Sequence, residues 1–157
     1  MRRKDRELST DQAMALLGEV TEGVLCLAAD DQGYPCAVPM NAALIDGALV
    51  FHCAPEGEKL RALARDNRAR FVAVLGSELC AEKLTTYYRS VIVKGRVSIP
   101  EGEAALQLVC EMTARLVGGA AAEYAPKAEG AAQRMKVLVM EIDEVTGKAN
   151  EEKEGPT

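Results

Sequence analysis

The residues best placed to do chemistry fall in one short stretch, Phe51-His52-Cys53-Ala54-Pro55-Glu56-Gly57-Glu58-Lys59-Leu60. His52 is the only histidine of the chain. The apolar run Ala48 to Phe51 reads as a strand, which Pro55 and Gly57 then break. A helical pattern follows, with Leu60, Leu63 and Ala64 on one face and Arg61, Arg65 and Arg68 turned mostly outward. Strand, glycine turn and helix start together form a natural anion site, because the first N–H groups of a helix lack intrahelical partners. Lys59, in the first turn, adds a mobile positive charge where a phosphate would sit. Plainer readings stand beside these. Lys59 can be a solvated helix lysine and His52 a core histidine satisfied by a backbone partner. Cys53 reads first as packing, since only Lys59 is near enough in sequence to depress its pKa.

The elements that must position this stretch can be read along the chain. Ser9 and Gln12 form a capping box, and Ala13, Leu16, Leu17 and Val20 follow at the spacing of an amphipathic helix. Val24 to Ala28 suits a buried strand, ended by the turn residues Asp30-Asp31-Gln32-Gly33. A second extended run, Tyr34 to Ile45, returns. Pro35 and Pro39 remove two ladder donors within it, which predicts an edge, a bulge, or backbone facing a ligand. Asp46-Gly47 is a hairpin signal, and Ala48 to Cys53 is the third strand. Phe71 to Leu75 is a fourth strand, residues 76–84 read as a loop, and Thr85 to Ile99 is a long fifth strand with a bulge or close approach at Gly95. Pro100-Glu101 begins a helix carrying Leu106, Val109, Thr113 and Leu116 on one face. The Ala- and Gly-rich segment 118–130 is expected to be loop or weak helix, and Met135 to Val145 a last strand. The sum is six strands, mainly antiparallel, with peripheral helices, which predicts a closed or split β-barrel. No G-x-G-x-x-G or Walker pattern follows a strand, so a doubly wound nucleotide fold is disfavoured.

Composition narrows the function class. A chain of 157 residues with 48% apolar content is expected to form one domain, residues 1–148, with a charged disordered tail at 149–157. A net charge of −5 gives no general attraction to nucleic acid. No apolar run is long enough to span a membrane, and no h-region follows the charged N-terminus. Five scattered cysteines without a C-x-x-C, and one histidine, make a zinc site unexpected and point to reduced thiols in a cytoplasmic protein.

Several stretches carry a resemblance to a known family. Met1 to Glu7, Asp31-Gln32-Gly33-Tyr34-Pro35 with Val38-Pro39, the 51–60 string, and Thr85-Thr86-Tyr87-Tyr88-Arg89-Ser90-Val91-Ile92-Val93 resemble the FMN-binding split-barrel proteins. More narrowly, the chain is similar to the pyridoxamine 5′-phosphate oxidase-related branch that includes nitroimidazole-resistance (Nim-type) proteins. The likeness runs in order to Val145-Thr146-Gly147-Lys148.

The resemblance implies a six-stranded barrel that forms a homodimer, with one FMN at each of two sites between subunits. It places the flavin along the second strand, at Ala37, Val38, Pro39, Met40, Asn41 and Ala42. It brings His52 and Cys53 to the cofactor, gives Lys59 the phosphate, and lets Ser90 reach FMN from the fifth strand. His52 is also implied as a catalytic candidate. Glu58 departs from the pattern, since close relatives carry a basic residue before that lysine. A carboxylate there opposes a phosphate by ~1–3 kcal/mol at an effective dielectric near ~20.

The activity implied is an oxidoreductase that passes electrons from NAD(P)H through FMN to a small electron-poor molecule, a nitro-aromatic being one such acceptor. Two alternatives stay open: a non-catalytic module binding flavin, haem or another ligand in the same cleft, and a degenerate homologue whose site Glu58 has weakened. Oxidation of pyridoxamine 5′-phosphate itself is not expected, because no basic cluster near the C-terminus would grip the substrate phosphate.

Overall fold

The computed structural model describes residues 3–30, 32–132 and 134–151. Met1, Arg2 and Asp31 of the quoted motifs, and 152–157 of the expected tail, lie outside the described residues. A short 3-10 turn, Lys4–Arg6, precedes α1 (Thr10–Gly18), which begins with the expected reciprocal cap. Ser9 Oγ accepts from the Gln12 N–H at 3.2 Å, and Gln12 Oε1 accepts from the Ser9 N–H at 2.9 Å. Ala13, Leu16 and Leu17 of this helix are buried.

β1 (Glu22–Ala29) and β2 (Pro35–Asn41) form a hairpin whose turn is held by Asp30. One oxygen of that side chain, Oδ1, accepts from the N–H groups of Gln32 and Tyr34 at 2.8 and 2.9 Å. β3 (Ala43–Ile45) and β4 (Ala48–Cys53) form the next hairpin. Its two turn residues, Asp46 and Gly47, have φ of 48° and 80°, the paired positive values that let a two-residue loop follow the strand twist. After α2 (Glu58–Arg65) come the long strands β5 (Arg68–Cys80) and β6 (Thr85–Ser98), helices α3 (Gly102–Val117) and α4 (Ala121–Ala132), and β7 (Lys136–Asn150).

All seven strands belong to one antiparallel sheet in the order β2-β1-β5-β6-β7-β4-β3. Its two end strands, β2 and β3, are consecutive in the chain and separated only by Ala42, so the sheet must roll round to meet itself. The result is the split barrel expected from the sequence. Side chains alternate across the wall. Leu25, Leu27, Phe51, Phe71, Val91, Val93, Leu138 and Met140 fill the interior, and α1 and α2 close it with Leu16, Leu17, Ala62 and Leu63. A second apolar layer forms where α3 and α4 cover the other face of β3, β4 and β7, burying Ile45, Val50, Val109, Cys110, Met112 and Val137.

Three expectations need correction, and one open alternative is resolved. The sheet has seven strands, because the run Tyr34 to Ile45 divides at Ala42, whose N–H donates to the Thr21 carbonyl at 3.0 Å. Of the expected loop 76–84 only 81–84 form a turn: after a bulge between Leu75 and Glu78, β5 pairs with β6 again as far as Cys80↔Thr85. Of the two readings open for 118–130, loop or weak helix, the structure has the helix for most of it, α4, which contains Pro126 and buries Ala128. The last strand continues past residue 148, through Ala149↔Arg89 and Asn150↔Tyr88.

Candidate functional site

Three neighbouring features of the outer wall and barrel end bear on chemistry. The first lies on β2, a strand hydrogen-bonded on one side only, where Pro35 and Pro39 are tolerated because the free side asks for no ladder donor. Alternation turns Ala37, Pro39 and Asn41 outward, while Met40 and Ala42 are buried and Val38 is half-buried against the core. Pro39 lies opposite Val24, Val24 opposite Val72, and Val72 opposite Ile92. These four side chains form an apolar row across the outer wall, with the exposed Val74 beside it. A cleft of about 520 Å³ opens here, lined by Glu22, Val24, Pro39, Met40, Asn41, Val72 and Val74 among others. Ser90, half-buried, lies opposite Val74 at its margin.

The second feature is the start of α2, at the other end of β2. Gly57, the residue before the helix, has a φ of 127° and makes no side-chain cap, so the first N–H groups of α2 are not covered by a capping oxygen. That backbone is strained for any residue with a Cβ, which is why the turn needs glycine. Lys59 is half-buried against the barrel, and Glu58 is exposed. α2 packs on β1 and β2, so both charges act on the β2 thiol Cys36. Burial pushes the Cys36 thiol up, Glu58 adds to the rise, and Lys59 and Arg65 oppose it. Burial likewise raises Cys53, and Lys59 opposes that shift. Both thiols are therefore protonated at neutral pH, and they act as packing rather than as nucleophiles. Glu58 also lines a small polar cleft of about 180 Å³ with Asp30, Gln32, Arg61 and Arg65, whose Nη2 donates to the Ala29 carbonyl at 2.7 Å.

His52 and Cys53 leave β4 on opposite faces: Cys53 enters the barrel core, whereas His52 is exposed on the outer side. The fold thus brings Lys59, Glu58, Cys36 and Cys53 to one end of β2, and Pro39, Asn41 and Ser90 to the other. His52 borders neither cleft. The row Val24, Val72, Val74 was not among the residues singled out from the sequence. Its signal was the unbroken apolar character of 24–28 and 71–75, which leaves apolar side chains on both faces of β1 and β5.

A rolled seven-stranded sheet with a strand–turn–helix at 51–60 defines the chain as a split-barrel protein. The family model described as pyridoxamine 5′-phosphate oxidase matches residues 9–149, and the chain belongs to that family. No curated protein matches it by sequence. Among solved structures it is similar to an FAD- and heme-binding protein from Mycobacterium smegmatis, with a TM-score of 0.80 and 21% identity over 97% of this chain and 77% of that one. It is similar to a candidate 5-nitroimidazole antibiotic resistance protein from Bacteroides thetaiotaomicron, with a TM-score of 0.73 and 22% identity over 90% and 85%. A flavocytochrome from Azotobacter vinelandii gives a TM-score of 0.76 and 17% identity over 96% and 72%. At these identities the likeness is one of fold. Among the described residues no helix is long and apolar enough to cross a membrane.

Proposed function

We propose that the protein is a homodimeric flavoprotein that binds FMN between subunits and reduces a small electron-poor molecule, nitro-aromatics included, with electrons from NAD(P)H. The observation that carries this reading is the arrangement along β2. A cation and open helix N–H groups stand by Cys36, and an apolar cleft begins at Pro39 and ends by Asn41. Five residues of antiparallel strand span ~17 Å, the scale of a ring system with a phosphate-bearing chain. The residues present fit such a group. Lys59 and the 57–59 turn would hold the phosphate, Pro39 offers a ring an apolar surface without an N–H, and Asn41 and Ser90 supply polar contacts at its edge.

Bound there, FMN would supply the electron transfer. The chain's own part is to bind and orient: Val24, Val72 and Val74 exclude water from one side of the ring, and a second subunit on the apolar row would exclude it from the other. A reducing cytoplasmic compartment suits five free thiols. The fold relatives support flavin as the ligand class, since they include an FAD- and heme-binding protein and a flavocytochrome.

The alternative is a non-catalytic flavin or haem carrier. What favours it is the cleft lining, where Glu22 is the sole titratable side chain available for proton transfer among the described residues. Titration of the purified protein with FMN, followed by flavin-dependent oxidation of NADPH with a nitro-aromatic acceptor, tests the proposal. Binding without turnover leaves the carrier. No flavin binding removes both flavin readings.

A further inference from the structure

The outer face of β1, β5 and β6 changes character over two residues. Moving from the apolar row toward the β5 N-terminus, Val24, Val72 and Ile92 give way to Cys26, Arg70 and Lys94, which again lie opposite one another in the ladder. A second concavity of about 510 Å³ opens there, lined by Cys26, Ala28, Arg68, Arg70, Lys94, Asp66 and Asp143 among others. Small residues contribute to its lining, Cys26 and Ala28 from β1, Ala69 from β5 and, opposite Ala69, Gly95 from β6. Two of its cations are committed. Arg68 grips Asp66 with Nε and Nη2 at 2.5–3.0 Å, and Lys94 Nζ lies 2.6 Å from Glu144. Arg70, exposed between them, makes no hydrogen bond or ion pair among the described residues. Arg68 and Lys94 are each offset by a carboxylate, whereas Arg70, near enough to help hold Glu144 ionised, leaves its guanidinium fork open to a ligand.

We propose that the concavity centred on Arg70 is an anion subsite for a carboxylate or phosphate on a ligand whose flat ring lies in the adjoining apolar cleft. The two sites sit on the same strands, two residues or ~7 Å apart, within reach of one molecule. The proposal rests on the flavoprotein reading and adds a charge requirement to it. The anion can belong to the cofactor, as the second phosphate of FAD, or to the acceptor, as an aromatic carboxylate. Both present the same chemistry to Arg70.

The test compares wild type with Arg70→Glu, with Arg70→Lys as a charge-conserving control. Arg70 is exposed, so the variants should keep the wild-type circular dichroism and melting profile. Calorimetric titrations use FMN, FAD, 4-nitrobenzoate and nitrobenzene. A loss of at least tenfold for FAD with FMN unchanged places the cofactor's second phosphate at Arg70. The same loss for 4-nitrobenzoate with nitrobenzene unchanged places the acceptor's anion there. In either case Arg70→Lys should restore part of the affinity, and added salt should shrink the difference. Equal affinities of wild type and Arg70→Glu for all four ligands would overturn the subsite. Absence of FMN and FAD binding to wild type would defeat the flavoprotein reading instead, and the benzoate comparison would still decide the role of Arg70.

Discussion

Gly95 of β6 and Glu141 of β7 approach so closely that a Cβ at residue 95 would stand 1.9 Å from the Glu141 carbonyl oxygen. The contact sits at the bulge where β6–β7 pairing shifts register, between Lys94↔Glu144 and Gly95↔Ile142. Backbone cannot swing away as a side-chain tip can, so Gly95→Ala should cost about 1–3 kcal/mol of stability. Urea denaturation measures it. A loss under about 0.5 kcal/mol, the range of an ordinary surface change, would show that the two strands part easily here.

Lys59→Ala should weaken FMN at least tenfold, because a charge-assisted phosphate contact is worth roughly 1.5–3 kcal/mol. Glu58→Arg on the preceding residue should tighten FMN and leave riboflavin nearly unchanged. The carboxylate opposes only the phosphate, and arginine can hold a phosphate bidentately. Titrating both flavins against wild type and both variants checks the pair. Equal gains for riboflavin would show that Glu58 does not face the phosphate.

Val74 is 61% exposed and flanks the apolar row, so Val74→Asp should leave the fold intact and convert a dimer into monomers. Sedimentation velocity at micromolar concentration reads both. A wild-type monomer would remove the between-subunit site, and a dimeric variant would move the interface elsewhere.

Thiol labelling gives a check independent of ligand. Cys36, Cys53 and Cys110 are buried, while Cys26 and Cys80 are partly accessible. At pH 8 only those two should react quickly with Ellman's reagent in the native protein, and all five after denaturation. Burial holds Cys36 and Cys53 above the ordinary thiol range, so their labelling should keep accelerating at pH values where an exposed thiol, with a pKa near ~8.5, has levelled off. Rapid labelling of Cys53 at neutral pH would mean that the barrel end opens.

The strand, turn and helix around Gly57, the Asp46-Gly47 hairpin and the Ser9–Gln12 cap were legible because each depends on local chemistry that residue types announce. Helix α4 could not be told from a loop because its buried face is made of small residues. Ala121, Ala125 and Ala128 follow helical spacing and pack into the outer core layer, yet alanine carries little hydrophobic contrast. The far end of β5 was hidden for another reason. Gly76 to Leu79 are exposed, so no alternation marks them as a strand, and their pairing with β6 is a nonlocal fact. At the site, Lys59 and Pro39 could be named from sequence. Arg70 could not, since its meaning depends on which of its neighbours across the ladder already have acidic partners.

The order of strands also governs how the folded protein behaves toward other copies in a crowded solution. The sheet's ends are a three-residue strand and a seven-residue strand two of whose positions lack an N–H. Neither offers the long, regular row of donors and acceptors on which a foreign strand could nucleate, so the prolines of β2 act as gatekeepers against fibrous aggregation.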